Sequence, residues 1–138
     1  MTEQVRVLMA RPITITSTDT VTAAADAMRE ADIGLVVLVN DARPVGVLTD
    51  RDIVVRCVAA GLAPHDTPAV QICSRDVITI GPNEEAPAAA QVMREHSVRR
   101  LPVVDGDQLV GVISLGDLAV QLDSESALAQ ISAARRNV

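Results

Sequence analysis

The sequence repeats itself with a fixed period. Shifted by 65 positions, the chain aligns with itself without a gap, so that Ile13-Thr14-Ile15 falls on Ile78-Thr79-Ile80. A period of this length indicates two copies of one supersecondary unit before any motif is interpreted. We predict a first repeat at residues 1–61 and a second repeat at residues 70–122, related by a pseudo-twofold axis.

Each repeat predicts the order strand, helix, strand, strand, helix, which places the chain in the α/β (α+β) class. Apolar residues at i, i+3, i+4 and i+7 from Val21 and from Ala86 predict the first helices, and apolar runs joined by Asp- and Gly-containing turns predict hairpins. Since one three-stranded unit has too little core, we expect the two sheets to pack together in one compact module. The predicted strands are Pro12–Thr16, Leu35–Val39, Val45–Leu48, Val77–Ile80, Leu101–Val104 and Leu109–Ile113, and the predicted closing helices are Arg51–Ala60 and Gly116–Gln121.

Proline and glycine mark the boundaries between these elements. Residues 62–69 contain two prolines and predict a linker, and Gly61 before them suits a helix C-cap. Pro87 fixes the first helix of the second repeat to a start near Glu85, because proline is tolerated only in the first turn. Residues 123–138 predict a C-terminal helical tail.

The composition excludes several classes of protein. The chain has 138 residues, of which 49% are hydrophobic and 22% charged, and this balance is incompatible with intrinsic disorder. A net charge of -6 and the absence of Phe, Trp and Tyr argue against nucleic-acid binding, which needs positive charge and stacking platforms. No apolar run approaches the roughly 20 residues of a membrane helix. The start MTEQVRVLM lacks a secretory signal, so we expect a cytoplasmic protein with no membrane partner.

The residues that usually hold metals or perform catalysis are few and scattered. Cys57 and Cys73 lie in helix-like contexts and are interpreted as core residues, and His65 and His96 stand apart from any cluster of ligands. No Ser-His-Asp or Cys-His arrangement is visible. We therefore expect neither a metal site nor an enzyme.

A motif of the form Gly-h-h-[Thr/Ser]-x-x-Asp, with h apolar, ends the hairpin of each repeat. It reads Gly46 to Asp52 in the first repeat and Gly111 to Asp117 in the second. The hydroxyls of Thr49 and Ser114 stand near a helix N-terminus with the acid three residues on, the spacing of a capping box. The same N-terminus also suits a phosphate, with the carboxylate accepting from ribose hydroxyls. The motif alone leaves both interpretations open.

The repeat, the element order and these motifs together resemble a tandem pair of CBS motifs, also called a Bateman module. The resemblance covers about residues 5–122. The stretches Gly46 to Ile53 and Arg100 to Asp105 are close to the typical sequence of the family. It implies a regulatory module that binds AMP, ADP, ATP or S-adenosylmethionine in clefts between the two units, and that forms a homodimer. An effector protein outside the chain would read the signal.

The resemblance also implies roles for individual residues. The motif aspartate holds ribose hydroxyls, the motif Ser or Thr lies near phosphate, and the first strand lines the adenine. The favoured second site comprises Ile78, Thr79, Ile80, Arg99, Arg100, Ser114 and Asp117, and the weaker first site comprises Ile13, Thr14, Ile15, Thr49, Arg51 and Asp52.

The two predicted sites differ in their positive charge. Arg99 and Arg100 correspond to a basic pair that meets phosphate in family members, although both side chains could equally be solvated or paired with acids such as Glu95. The first repeat has Gly34-Leu35 at the same position. Arg51 could substitute there, but a solvated helix residue is the favoured interpretation.

Two classes of function remain from the sequence. The first is a regulatory module that binds an adenine nucleotide or a related adenosyl ligand. The alternative is a nucleotide-free scaffold for dimerisation or for a protein partner, motivated by the degenerate first repeat.

Overall fold

The computed structural model describes residues 3–122 and residue 131 of the chain. The predicted tail at 123–138 lies outside the described residues, apart from Ile131. The helices are α1 (Val5–Leu8), α2 (Val21–Ala31), α3 (Asp50–Asp52), a π-helix (Ile53–Val58), a 3₁₀ helix (Pro64–Asp66), α4 (Ala69–Ile72), α5 (Ala86–His96) and α6 (Leu115–Leu122). The strands are β1 (Thr14–Thr16), β2 (Leu35–Asn40), β3 (Arg43–Thr49), β4 (Arg100–Asp105) and β5 (Gln108–Ser114).

Packing divides the described chain into two units. One unit is Pro12–Val77, which we call the 12–77 unit. The other joins the described residues up to Arg11 to those from Ile78 onwards, and we call it the 78–122 unit with its N-terminal segment. The segment before each repeat therefore packs with the other repeat, which the linear order of the repeats does not indicate.

Hydrogen bonds explain this exchange of segments. The amide of Val47 in β3 donates to Ser74 over 2.9 Å, and the amide of Ser74 returns the bond over 2.9 Å. In the other unit, Ala10 and Val112 of β5 exchange the equivalent pair of bonds at 2.8 and 3.0 Å. Each crossing segment thus adds one backbone bridge to the outer side of a hairpin.

The sheet of the 12–77 unit has the order β1-β2-β3. β1 runs parallel to β2 with Thr14 opposite Val37, and β2 and β3 form the predicted antiparallel hairpin. The central strand β2 is a continuous apolar run, and its residues Leu35 to Leu38 are all buried. The side chains of Val36, Leu38 and Leu48 pack with α2 in one core.

The sheet of the 78–122 unit contains only β4 and β5 within the described part of the chain. The predicted strand Val77–Ile80 is wrong, because its pairing reduces to a single parallel bridge between Ile80 and Val103. Proline explains the loss. In the first repeat the amide of Val37 donates to the carbonyl of Ile13, whereas the equivalent Pro102 has no amide hydrogen to donate.

The first helix of each repeat forms as predicted. Thr20 caps α2, accepting from the amide of Ala23 over 3.1 Å, and Glu85 is the N-cap of α5. Pro87 lies in the first turn of α5, as its spacing indicates. Three of the four predicted stripe positions of each helix are buried and pack against their unit, whereas the i+4 position is exposed at Ala25 and half-buried at Ala90.

The closing helix of the first repeat differs from the prediction of one helix at Arg51–Ala60. α3 has three residues, and the chain continues as the π-helix Ile53–Val58, in which the amide of Ala59 donates to Val54 five residues earlier. Gly61 follows with φ of +75°, the left-handed conformation expected after a helix end. The closing helix of the second repeat, α6, is α-helical as predicted.

The two cysteines lie in or beside the core of the 12–77 unit. Cys57 is buried, and Cys73 packs against the same cluster while remaining partly exposed. Burial raises the pKa of the Cys73 thiol above its ordinary value, and the neighbouring Arg75 partly offsets this effect. Both thiols are free and serve in packing.

Candidate functional site

The topology brings the predicted site residues of each repeat to one edge of its sheet. In the 12–77 unit, Leu35 at the start of β2 lies opposite Thr49 at the end of β3, and β1 enters beside β2 from the same edge. In the 78–122 unit, Arg100 lies opposite Ser114 in the same way. Each motif therefore turns from strand into helix beside the start of the preceding strand.

Both motifs form a complete capping box. The hydroxyl of Thr49 accepts from the amide of Asp52 over 3.1 Å, and Oδ2 of Asp52 accepts from the amide of Thr49 over 2.9 Å. Ser114 and Asp117 repeat these bonds at 3.1 and 2.9 Å. The capping interpretation is therefore realised in both repeats, and one carboxylate oxygen of each aspartate is engaged by it.

The second carboxylate oxygen distinguishes the two aspartates. Oδ1 of Asp52 lies 3.8 Å from Nε of Arg56, one turn further along the π-helix. Asp117 has Gln121 at the equivalent position, and within residues 3–122 its Oδ1 has no hydrogen-bond partner. Asp117 therefore keeps one half-buried acceptor for a ligand hydroxyl.

The amides of the first helical turn differ in the same direction. In the first repeat the amide of Asp50 donates to Gly34 over 3.0 Å, and the amide of Arg51 donates to Oδ1 of Asp50 over 2.9 Å. In the second repeat the amide of Leu115 donates to Arg99 over 2.8 Å. The amide of Gly116, which corresponds to that of Arg51, has no acceptor among the described residues.

The basic pair Arg99-Arg100 is exposed to solvent. Neither guanidinium forms an ion pair in the described part of the chain, and Glu95 accepts a hydrogen bond from Gln91 instead. Of the two interpretations that do not involve a ligand, pairing with acids is therefore wrong for the described residues, and solvated side chains remain. On the backbone Arg99 and Arg100 lie beside Leu115 and Ser114, and their guanidinium groups and the free amide of Gly116 are unpaired donors of a kind that phosphate prefers.

The predicted adenine-lining segments have the same alternation in both repeats. Ile15 and Ile80 are buried in their cores, Thr14 and Thr79 are exposed, and Ile13 and Ile78 are half-buried. The buried isoleucines position their segments, so any contact with a ligand falls to the residues on either side of them and to the backbone.

Arg51, the candidate substitute for the missing basic pair, is exposed on the first turn of α3. Within residues 3–122 its side chain forms no ion pair. Its amide is already bound to Asp50.

Three groups at these sites escaped the sequence interpretation: Asp50, Arg56 and the amide of Gly116. The signal was present in the repeat alignment, where Asp50 stands opposite Leu115 and Arg56 opposite Gln121. Each exchange replaces a charged residue by an uncharged one. Comparing the copies for their differences in charge, and not only for their identities, would have found them.

The described ranges contain neither a helix suited to a bilayer nor a cluster of potential metal ligands. None of their helices is both long enough and apolar enough to cross a bilayer. They also contain no group of three or more His, Cys, Asp or Glu side chains placed to hold a metal ion.

Comparison with known proteins identifies the architecture. The family model described as "CBS domain" matches residues 4–58 and 69–124. Hypoxic response protein 1 of Mycobacterium tuberculosis is 42% identical over 113 residues, which cover 81% of this chain and 78% of that protein.

Two solved structures match the fold over most of their length. A crystal structure of Hypoxic Response Protein I with two coordinated zinc ions has a TM-score of 0.79 and 37% identity, and the match covers 87% of this chain and 99% of that one. The CBS domain protein PAE2072 from Pyrobaculum aerophilum, complexed with AMP, has a TM-score of 0.78 and 32% identity, with 95% and 98% covered. The sequence repeat, the matched fold and the two family matches lead to one conclusion: the chain belongs to the CBS domain family and carries two CBS domains in tandem.

Proposed function

We propose that the chain is a regulatory module, not an enzyme, and that it binds an adenine nucleotide at the corner of the 78–122 unit formed by Arg99, Arg100, Ser114 and Asp117. AMP, ADP and ATP are the candidate ligands, with S-adenosylmethionine as a related adenosyl compound. The observation that supports this most is the set of unpaired donors beside an unpaired carboxylate oxygen. A relative at 32% identity that was solved with AMP supports the ligand class.

Each group has a role that its chemistry suits. Guanidinium groups and a free first-turn amide donate to phosphate oxygens, and Oδ1 of Asp117 accepts from ribose hydroxyls. The bond from the amide of Ser114 to Oδ2 fixes the orientation of that carboxylate before the ligand arrives. Because the carboxylate is already ordered, ligand binding has a smaller entropy cost. Action in the cytoplasm stays a prediction from the sequence.

Equilibrium dialysis against AMP, ADP, ATP and S-adenosylmethionine, followed at 260 nm, tests the proposal directly. Because the chain has no Trp, Tyr or Phe, retained absorbance reports the ligand alone. We expect saturable retention of at least one adenine nucleotide. Failure to retain any of the four compounds up to millimolar concentration would contradict the proposal.

Two variants with matched controls test the assigned roles. Arg99→Gln with Arg100→Gln should weaken AMP roughly tenfold or more and leave adenosine unchanged, because only phosphate contacts are lost. Arg11→Gln with Arg94→Gln, at two exposed arginines, is the control for the same change of net charge. Asp117→Asn keeps the size of the side chain and should weaken both AMP and adenosine, whereas Asp52→Asn should not.

We also propose that the chain forms a homodimer through the π-helix. Val54, Val55 and Val58 are 59%, 49% and 61% exposed, an unusual amount of aliphatic surface for one turn and a half of helix. This surface also favours the alternative function, a nucleotide-free scaffold. Sedimentation velocity should give a dimer at micromolar concentration, and Val54→Glu with Val58→Glu should give a monomer. A wild-type monomer would contradict this part of the proposal.

A further inference from the structure

The two repeats differ in charge at five positions where the hairpin begins and the motif turns into helix, and two of these pair Leu35 with Arg100 and Arg51 with Gly116. Gly34 corresponds to Arg99, Asp50 to Leu115 and Arg56 to Gln121. In both repeats the first two positions are joined by a backbone hydrogen bond, at 3.0 Å in the first repeat and 2.8 Å in the second. The exchanged side chains therefore occupy equivalent places.

Asp50 occupies that place in the first repeat with a carboxylate. Its Oδ2 lies 2.9 Å from the point where a Cβ on Gly34 would stand, so a side chain at position 34 would displace the exposed carboxylate of Asp50 from this place. Its Oδ1 accepts from the amide of Arg51. The carboxylate thus covers Gly34 and binds the one first-turn amide that the second repeat leaves free.

The charged groups beside the two motifs also differ between the repeats. α3 has two carboxylates in its first turn, those of Asp50 and Asp52, whereas α6 has only that of Asp117. Arg56 lies beside Asp52 and also donates to the carbonyl of Ile72 over 3.1 Å. The charges of Asp50, Asp52 and Arg56 are therefore directed toward groups of the protein itself, whereas the side chain of Arg51 is exposed and forms no ion pair within residues 3–122.

We infer that Asp50 determines the ligand class of the first repeat: its carboxylate takes the amide and the charge that the second repeat leaves to a ligand's phosphate. The chain then binds one phosphorylated ligand, at the second repeat. This inference rests on the proposed function.

Electrostatics gives the size of the effect. A phosphate at the first repeat would have to displace Asp50 from the Arg51 amide and would still lie within a few ångströms of its charge. Repulsion between a phosphate and one carboxylate at a solvent-exposed site costs roughly a tenfold loss of affinity. An uncharged adenosine does not meet this repulsion.

The exchange can be made in either direction at one position. Leu115→Asp places a carboxylate beside Gly116 in the second repeat, and Leu115→Asn is the matched control without charge. Leu115 is 38% exposed and lies in the first turn of α6, where an acid also favours the helix dipole, so both variants are expected to fold. In the first repeat, Gly34→Arg combined with Asp50→Leu gives positions 34 and 50 the residues of the second repeat, while Leu35 and Arg51 stay as they are.

Dialysis against AMP and against adenosine measures the outcome. We expect one AMP per wild-type chain, roughly tenfold weaker AMP binding in Leu115→Asp than in Leu115→Asn, and unchanged adenosine binding in both. The Gly34→Arg, Asp50→Leu variant should bind a second AMP.

Other results overturn the inference in distinguishable ways. Two equivalent AMP molecules per wild-type chain, or equal AMP affinity in Leu115→Asp and Leu115→Asn, would refute it and leave the proposed function standing. One AMP that is lost in Asp52→Asn and kept in Asp117→Asn would place the ligand at the first repeat and refute it also. A wild-type chain that retains no AMP, while its fold is intact, would overturn the proposed function and this inference with it.

Discussion

Gly46 and Gly111 open the two motifs, and the reason lies in the segments that cross them. A Cβ on Gly46 would stand 2.7 Å from Sγ of Cys73 and 3.2 Å from the carbonyl oxygen of Ser74. A Cβ on Gly111 would collide with Met9. The glycine of each motif therefore serves the close approach of a crossing segment, and not a turn.

Substitution of Gly46 tests this close approach. Gly46→Ala should lower the free energy of unfolding by about 1–3 kcal/mol, because a short thiol side chain and a backbone carbonyl must both move. Gly81→Ala is the control, since the nearest atom to its Cβ would be Cγ of Glu84 at 3.8 Å. Chemical denaturation measures both variants. Equal destabilisation by the two would contradict the packing argument.

The turn between β2 and β3 stores local strain at Ala42. Asp41 and Ala42 have φ of 52° and 65°, and the left-handed region is unfavourable for a residue with a Cβ. Ala42→Gly should raise the free energy of unfolding by about 1 kcal/mol. Ala25→Gly on the exposed face of α2 should lower it by a similar amount, about 1 kcal/mol. Denaturation curves that move in the same direction would contradict the assignment of strain.

At the residue scale the sequence predicted the motif residues but not their partners. Asp52 and Asp117 follow from the motif spacing, and both form the capping box that this spacing indicates. The position of the Asp50 carboxylate against Gly34 could not be predicted, because it depends on how two separate segments of the chain pack together. The local spacing of residues determines a helix cap, whereas a contact between distant segments depends on the tertiary packing.

At the scale of elements, Pro102 decides how much of the second sheet forms. Pro102→Val supplies the amide that the carbonyl of Ile78 lacks, and the pairing of Ile78 to Ile80 with β4 should extend. Hydrogen exchange should then show a protected amide at position 102. The reverse change, Val37→Pro, removes the bond to Ile13 from a central strand and should cost about 2–3 kcal/mol. Rapid exchange at position 102 would contradict this account.

Hairpins and amphipathic helices were predictable because their signals are local. Continuous apolar runs flanked by turn residues gave β2 with β3 and β4 with β5, and spacing gave α2 and α5. The prediction of a strand at Val77–Ile80 was wrong because the pairing of this segment depends on an amide in another segment. The π-helix Ile53–Val58 could not be predicted because α- and π-helices share the same residue preferences. They differ in which carbonyl accepts the hydrogen bond of each amide.

At the scale of the whole molecule, the exchange of segments predicts which fragments fold. The fragment 12–77 contains the hydrogen bonds from Val21 to Thr67, from Ala69 to Asp19 and from Val47 to Ser74. The fragment 1–61 contains none of them. Circular dichroism should show cooperative thermal unfolding for 12–77 and not for 1–61. Cooperative unfolding of 1–61 at an equal or higher temperature would contradict the division into units.

The repeat predicted two units but could not say which segment belongs to which. Residues 5–10 and 70–75 are equivalent under the shift, so the sequence is equally consistent with each segment packing on its own repeat or on the other. Which arrangement forms depends on where each segment can bury its apolar side chains and pair its backbone amides. Val5, fully buried with Ile113 and Leu118, shows the outcome for the first segment.

The exchange of segments also sets an order for events on the ribosome. Once Val77 has left the exit tunnel, every residue of the 12–77 unit is available, so that unit can close while synthesis continues. Residues 3–10 must wait for β5, and at about 5–20 residues per second the remaining stretch to residue 122 takes roughly 2–9 s. During that interval Val5 and Leu8 have no core to enter. Residues 3–10 therefore emerge before the 12–77 unit but pack after it, and in that interval they are exposed to a chaperone that captures short apolar segments.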